Sequence, residues 1–328
     1  MTIQQLAERA QALIRSQLGD SAQSVQPLPG LTILKYHHVT AFESSLYQPA
    51  VCLILQGRKE TLLGEQTFKL GVGDCLLISH DVPVVARIKE APGLAVLFDV
   101  ELGALRSLYD EVADAASEAA QVQTIEVRKA EEPVVNALLR YLALAGSATD
   151  AKVLGPMIAK EIHYRLLMSP FGGMLRSLLR YDSHASAIAR AIAHIRRDFR
   201  RQLVIPDLAR SVGMSATLFH QQFRAITSCT PLQYQKELRL LEAKRLLFAF
   251  GTSVSTAAYD VGYESPNQFS REYARKFGVP PSKDQALAAE RSKRASDNGH
   301  IEGADDARGN VTVAPRLVER APRDVEVV

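Results

Sequence analysis

The sequence predicts an α+β chain of two domains: a small β-barrel or sandwich with flanking helices, then an all-α domain. Three observations carry this. Residues 31–100 are short apolar or alternating runs cut by Gly57, Gly64, Gly71, Gly73 and Pro92-Gly93, the rhythm of many short strands with tight turns. Beyond residue 100 the apolar positions recur at helical spacing. In the last third one phrase is written twice, as "VGMSATLFHQQF" from Val212 and "VGYESPNQFSREY" from Val261.

The chain begins "MTIQQLAERAQALIRSQLG", an amphipathic helix pattern over residues 1–19 without the apolar core of a secretory signal. No apolar run approaches the roughly 20 residues that a membrane-spanning helix needs. The expectation is a cytoplasmic protein with no membrane partner. Cys52, Cys75 and Cys229 are scattered and odd in number. They fit neither a metal-ligand spacing nor a disulfide framework, consistent with a reducing compartment.

The β region reads as "LTILKYHHVT", "AVCLILQG", "KETLLG", "QTFKLGVGDCLLIS", "VVARIKE" and "GLAVLFDV". Helical patterns follow in "LGALRSLYDEVADAA", "EPVVNALLRYLALAG" and "AKVLGPMIAKEIHYRLLM", until "SPFGG" at residues 169–173 breaks the run. A domain over 20–180 is expected, with its boundary near 170–185, then a second domain over 186–284. "RSLLR", Arg176 to Arg180, puts two arginines on one helix face. Residues 285–328 lack periodicity and are expected to form a disordered tail.

The net charge of +3 is unevenly divided. His184–Asp284 holds 15 Lys and Arg against 8 Asp and Glu; the remainder holds 24 against 28. A basic segment in an otherwise slightly acidic chain suits a polyanionic partner, although a basic solvated face is the commoner cause.

Aligned on their serines, the two phrases match Ser215, Phe219 and Phe223 with Ser265, Phe269 and Tyr273, and Pro231 with Pro281. Upstream, Leu208, Ala209, Val212 and Gly213 match Ala257, Ala258, Val261 and Gly262. Each copy starts with a short helix, "PDLARSV" with Pro206 in its first turn or "STAAYDV" capped by Ser253. Gly213 or Gly262 supplies a left-handed turn, and Ser215 or Ser265 caps the next helix. Pro266 sits at the first helical position and Gln268 is placed to complete a capping box. The aromatic pairs at i and i+4 form the core face. Ala216, Thr217, His220, Gln221 and Arg224 face away in the first copy, as do Pro266, Asn267, Ser270, Arg271 and Arg275 in the second.

Two short helices joined by a tight glycine turn, the second presenting polar groups, describe a helix-turn-helix. Arg271 suits guanine; Asn267 and Gln221 suit adenine; Arg224 and Arg275 suit phosphate. These polar residues could equally be the wet face of two core helices, a reading that duplication of the same cap and turn weighs against. Between the copies, "PLQYQKELRLLEAKRLLFAFG" predicts a helix over 231–248 that separates the two units by about 25 Å at 1.5 Å per residue.

Residues 186–284 resemble the DNA-binding domain of AraC/XylS-type transcription regulators. "VGYESPNQFSREYARKFGVPP" carries the likeness, and "LQYQKELRLLEAKRLL" resembles the family's linking helix. The units at 205–225 and 254–277 correspond to its two helix-turn-helix motifs. Residues 20–170, through "LYQPAVCLILQGRKETLLGEQTFKLGVGDCLLISHDVPV", resemble the N-terminal module of one branch, a cupin-like barrel for effector binding and dimerisation. The resemblance implies a transcription regulator, activator or repressor, that binds double-stranded operator DNA. It also implies a small-molecule effector in the barrel, a homodimer through the N-terminal domain, and room for an RNA polymerase contact. Base recognition would fall chiefly on Thr217, His220 and Gln221, which depart from the larger or more basic residues often found there.

Barrels of this kind can also be metalloenzymes. A metal site needs about three histidines and a carboxylate converging from neighbouring strands. The β region offers only His37, His38 and His80, the first two adjacent and therefore on opposite faces of a strand. No metal, cofactor or catalytic residue is expected. Candidates for an anionic or polar effector are Tyr47, Arg58, Lys59 and Arg87. A metalloenzyme with a DNA-binding tail and a ligand-independent DNA binder are the competing readings.

Overall fold

A computed structural model describes residues 2–18, 24–112, 123–180 and 182–297. Eight strands and their flanking helices account for the N-terminal part: α1 (Ile3–Leu18), β1 (Ser24–Leu28), β2 (Leu31–Tyr36), β3 (Glu43–Tyr47), β4 (Ala50–Leu63), β5 (Gln66–Leu70), β6 (Asp74–Ile78), β7 (Val82–Asp99), α2 (Leu102–Val112) and β8 (Ile125–Lys129). Helices α3 (Glu132–Ala143), α4 (Ala148–Val153), α5 (Gly155–Met168) and α6 (Gly172–Leu179) follow.

The antiparallel sheet runs β1-β2-β7-β4-β6-β8, with β3 added to β7 and β5 added to β4. Strands β4 and β7 each unite two runs that the sequence separates. Gly57 explains the difference. It lies at a register slip between the two strands and not in a turn, and a Cβ there would meet Glu90 O at 2.5 Å. Its φ of +79° and this close approach are those of a glycine in a β-bulge. Strands β1, β3 and β8 escape the apolar pattern because "SVQPL", "ESSLY" and "IEVRK" are short and polar, as edge strands are.

Both faces of the central strands are buried, hence the unbroken "AVCLIL". Val51, Leu53, Leu55, Val96 and Phe98 pack with Leu6, Ala10 and Ile14 of α1 and with buried residues of α2, α3, α5 and α6. The opposite face gathers Cys52, Ile54 and Leu63 of β4, Leu76 and Ile78 of β6, and Val82, Val84 and Ala95 of β7, so both ends of β4 and of β7 meet and the sheet closes over on itself in a barrel-like curve. His163 on α5 fixes the outer layer. Its Nε2 accepts from the Glu101 amide at 2.9 Å, its Nδ1 donates to Ala159 O, and its ring meets Phe98 edge-on.

The second part consists of α7 (His184–Asp198), α8 (Ile205–Ser211), α9 (Ala216–Thr227), α10 (Pro231–Ala249), α11 (Val254–Asp260), α12 (Pro266–Phe277) and α13 (Pro281–Asp297). Two findings depart from expectation. First, the compact units do not follow the split at 170–185: residues 1–194 with 204–231 make one, and 195–203 with 232 onward make the other. Residues 204–231 join the barrel because Thr124 Oγ1 donates to Ile226 O and the Gly64 turn abuts Ser228. Second, part of the expected tail is helical. Helix α13 continues to Asp297 through good helix formers. It is anchored where Tyr273 Oη donates to Asp284 at 2.8 Å and Gln285 Nε2 donates to Leu247 O and Thr252 O. Residues 298–328 lie outside the described residues.

The turn chemistry follows the sequence closely. Ser215, Ser253 and Ser265 each accept a hydrogen bond from the third amide of their helix. Gln268 differs: it donates to Glu272 on its own helix rather than closing a capping box. Gly213 and Gly262 have φ of +76° and +90°, as the turns require. Only Gly262 is also crowded, since a Cβ there would lie 2.1 Å from Arg200 O.

Gly213→Ala should therefore cost about 1 kcal/mol of stability through backbone strain alone. Gly262→Ala adds a backbone overlap and should cost about 3 kcal/mol or more. Urea unfolding midpoints of the two variants measure the difference, and equal losses would contradict it. A second outcome concerns His80, which is 2% exposed, donates from Nε2 to Ala185 O at 3.0 Å and accepts at Nδ1 from Ser79 Oγ. Burial pushes its pKa down to about 4, only partly offset by the bond to Ala185. A histidine depressed in the folded state contributes fully above its ordinary value near 6.5, and that contribution fades as pH falls toward 4. The parent protein should lose about 2 kcal/mol more than His80→Gln between pH 7.5 and pH 5. Denaturant titrations at the two pH values check this.

Candidate nucleic-acid interface

In α9, Phe219, Phe223, Ile226 and Thr227 are buried, and the two phenylalanine rings lie 5.5 Å apart. The helix is amphipathic with a period of 3.6 residues, so the residues between them point outward. Ala216, Thr217, His220, Gln221 and Arg224 are all exposed. A left-handed residue, Ser228 with φ of 59°, ends the helix.

Helix α12 divides into three faces at i, i+4 spacing. Phe269 and Tyr273 are buried, their rings 5.5 Å apart, with Tyr263 edge-on to Phe269. Glu272 and Lys276 turn toward α10, and Gln268, one turn earlier and exposed, donates to Glu272. Glu272 receives Lys236 at 3.0 Å and the Tyr263 hydroxyl at 2.9 Å, and Lys276 pairs with Glu237. These donors hold the Glu272 carboxyl below its ordinary range although burial opposes them. The third face carries Asn267, Arg271 and Arg275, all exposed, with Pro266 and Ser270 half-buried beside them. Among the described residues Arg224, Arg271 and Arg275 form no ion pair, whereas nearby Arg210 is tied to Asp207 and Arg245 to Glu242. Three unneutralised guanidiniums on two recognition faces suit phosphate and base-edge acceptors.

Arg239 on α10 sets the turn of the second unit. Its guanidinium donates to the carbonyls of Phe199, Arg200, Arg201 and Gly262 at 2.8–3.1 Å. Gln235, one turn earlier, also donates to Phe199 O and Arg201 O. Sequence reading missed this pair, because their partners are backbone atoms and no side-chain pattern signals them.

The effector candidates separate. Arg58 is 70% exposed and pairs with Glu90 at 3.1 Å; Arg87 pairs with Glu60 at 2.6 Å and lies over the Phe42 ring. Glu90 is at the surface, whereas Glu60 is buried beneath Arg87 and Lys89. Tyr47 belongs to the inner cluster, and Lys59 Nζ sits 5.1 Å from its ring centre. Arg176 and Arg180 are committed to Leu167 O and Asp182. Among the described residues, no three His, Cys, Asp or Glu side chains converge as a metal-ligand group, and no helix is long and apolar enough to cross a membrane.

Two protein families match the chain in tandem: the AraC-type transcriptional regulator N-terminus over residues 27–174 and a helix-turn-helix domain over 208–286. The transcriptional regulator ExsA of Pseudomonas aeruginosa is 29% identical over 171 residues, covering 49% of this chain and 61% of that one. CdhR of the same organism is 27% identical over 156 residues, covering 48% and 44%. The chain thus spans under two thirds of the length of either relative. Among solved structures, apo ToxT of Vibrio cholerae superposes with a TM-score of 0.51 over 79% of this chain and 98% of that one. At 9% identity this is a likeness of fold. With both halves matched in order and the double helix-turn-helix in place, the chain belongs to the AraC family of transcriptional regulators.

Proposed function

We propose that this chain is a sequence-specific DNA-binding transcription regulator, controlled by a small molecule bound in the N-terminal barrel. The observation that carries the reading is the pair of helices α9 and α12, each buried through an aromatic pair and each turning unpaired polar side chains to solvent. Thr217, His220 and Gln221, with Ala216 at the helix start, read bases in one half-site. Asn267, Ser270 and Arg271, with Pro266, read the other, and Arg224 and Arg275 contact phosphate. Because the two reading sets differ, the operator of one chain is asymmetric rather than palindromic. Homodimer formation through the N-terminal domain belongs to the same reading. Val153, Leu154 and Met157, at the α4–α5 corner, are the exposed apolar side chains that a second copy would cover.

Selection of bound duplexes from a random pool tests this. The expected result is a bipartite, asymmetric consensus; a pool that stays random after repeated rounds would sink the reading. On the selected site, Arg271→Ala should cost about 1–3 kcal/mol and relax the preference at one position. Arg224→Ala should weaken all sequences alike and lower the slope of log affinity against log salt by about one.

A further inference from the structure

The segment that follows α7 reads Phe199-Arg200-Arg201-Gln202, and its backbone is tightly held. The Arg201 amide donates to Asp198 O at 2.9 Å. Arg239 and Gln235 of α10 donate to the carbonyls of Phe199 and Arg201, and Arg239 also takes that of Arg200. The Phe199 ring is buried. The segment lies directly against the turn of the second recognition unit: an added Cβ at Gly262 would come 2.1 Å from Arg200 O, and Arg239 holds Gly262 O as well. Residues 195–203 and 232 onward accordingly form one compact unit.

The fold leaves the two guanidiniums of this segment unneutralised. Arginines near a helix C-terminus ordinarily serve its unpaired carbonyls. Here Arg239 and Gln235 serve the carbonyls that follow α7, reaching across from α10. Arg200 and Arg201 are exposed, and among the described residues neither forms an ion pair or a side-chain hydrogen bond. Arg197, just upstream, is instead tied to Asp198 at 2.9 Å. The Arg200 guanidinium lies 5.4 Å from the centre of the Phe199 ring, a contact that orients the cation without cancelling its charge. Glu264, exposed in the turn itself, pairs with neither arginine.

The Gly262 turn leads to Ser265, the cap of α12. A recognition helix reads bases with its N-terminal residues, so groups packed on the turn before it stand at the edge of the groove, where phosphates lie. We propose that Arg200 and Arg201 form a phosphate-binding site that clamps the DNA backbone beside the second half-site. It lies outside both helix-turn-helix motifs and adds to the contacts of Arg224 and Arg275. The backbone beneath the pair is already ordered, so binding need order only the side chains. The site answers to charge and carries no base preference. This rests on reading the chain as a DNA-binding regulator with α12 in the groove.

The test titrates the full chain with its selected duplex from about 50 to about 200 mM salt, beside Arg200→Gln, Arg201→Gln and the double variant. Each single change should lower the slope of log affinity against log salt by about one, and the double change by about two. The affinity deficit of the double variant should therefore shrink roughly tenfold across that salt range. Ethylation of the phosphates bordering the second half-site should weaken binding by the parent and leave the double variant unaffected. Replacing both arginines by lysine should keep the parent's slope, and the consensus selected from a random pool should stay the same for every variant. The inference fails if the double glutamine variant keeps the parent's affinity and slope, if it alters the preference at any base, or if the double lysine variant falls as far. Urea midpoints equal to the parent's are expected; a lowered midpoint would show that the arginines serve the fold instead. A parent chain that selects no consensus overturns the DNA-binding reading itself, whereas a parent with a consensus and an indifferent double variant removes this site alone.

Discussion

Four backbone carbonyls converge on the guanidinium of Arg239, and the second recognition unit depends on that convergence. Helix α7 ends at Asp198 and leaves its last carbonyls without intrahelical partners. A planar cation with a fixed fork of donors can satisfy several at once and is favoured at the negative end of a helix. Arg239 does this for the segment that follows the helix, holding the carbonyls of Phe199, Arg200 and Arg201 while also holding that of Gly262. Gly262 is consequently doubly constrained: its left-handed φ makes the turn, and its missing Cβ lets the Arg200 backbone approach. Once that turn is fixed on α10, the pairs Lys236–Glu272 and Glu237–Lys276 fix the rotation of α12 about its axis. The face bearing Asn267, Arg271 and Arg275 is then left to solvent or a ligand. The exposure of those three residues follows from contacts made on the other two faces.

How much of this was legible in the sequence depends on the range of the interactions. Serine caps, turn glycines and aromatic pairs act within about fifteen residues, so both helix-turn-helix units could be read before any coordinates. The barrel interior could not. Counting in twos from Cys52 and Ile54 would put Arg58 inside and Lys59 outside; the slips before Lys59 reverse that order. Bulges depend on the partner strand, here on the close approach of Gly57 to Glu90 O, and no local pattern announces them. This is why Arg58, Lys59 and Arg87 looked equivalent as effector candidates. The helix that extends to Asp297 was hidden differently. Its sequence favours helix, but it lacks an apolar stripe, and its anchors at Asp284 and Gln285 are polar.

The two recognition units are alike in construction and unlike in attachment. The second is fastened to α10 by charges and by Arg239. The C-terminal end of the first is fastened to the barrel, through Thr124 Oγ1 on Ile226 O and through the Gly64 turn against Ser228. At Gly64 the contact is tight: an added Cβ would lie 2.7 Å from the Ser228 Cβ. Gly64 is also the residue at which β4 turns, immediately after the segment Lys59–Leu63 that pairs with both β5 and β7. One strand therefore runs from the barrel interior to the end of α9. Packed contacts of this kind respond as units rather than by gradual deformation, so a displacement of the Gly64 turn would be felt at Ser228. A ligand can exploit this only through a difference in its affinity for the docked and undocked arrangements.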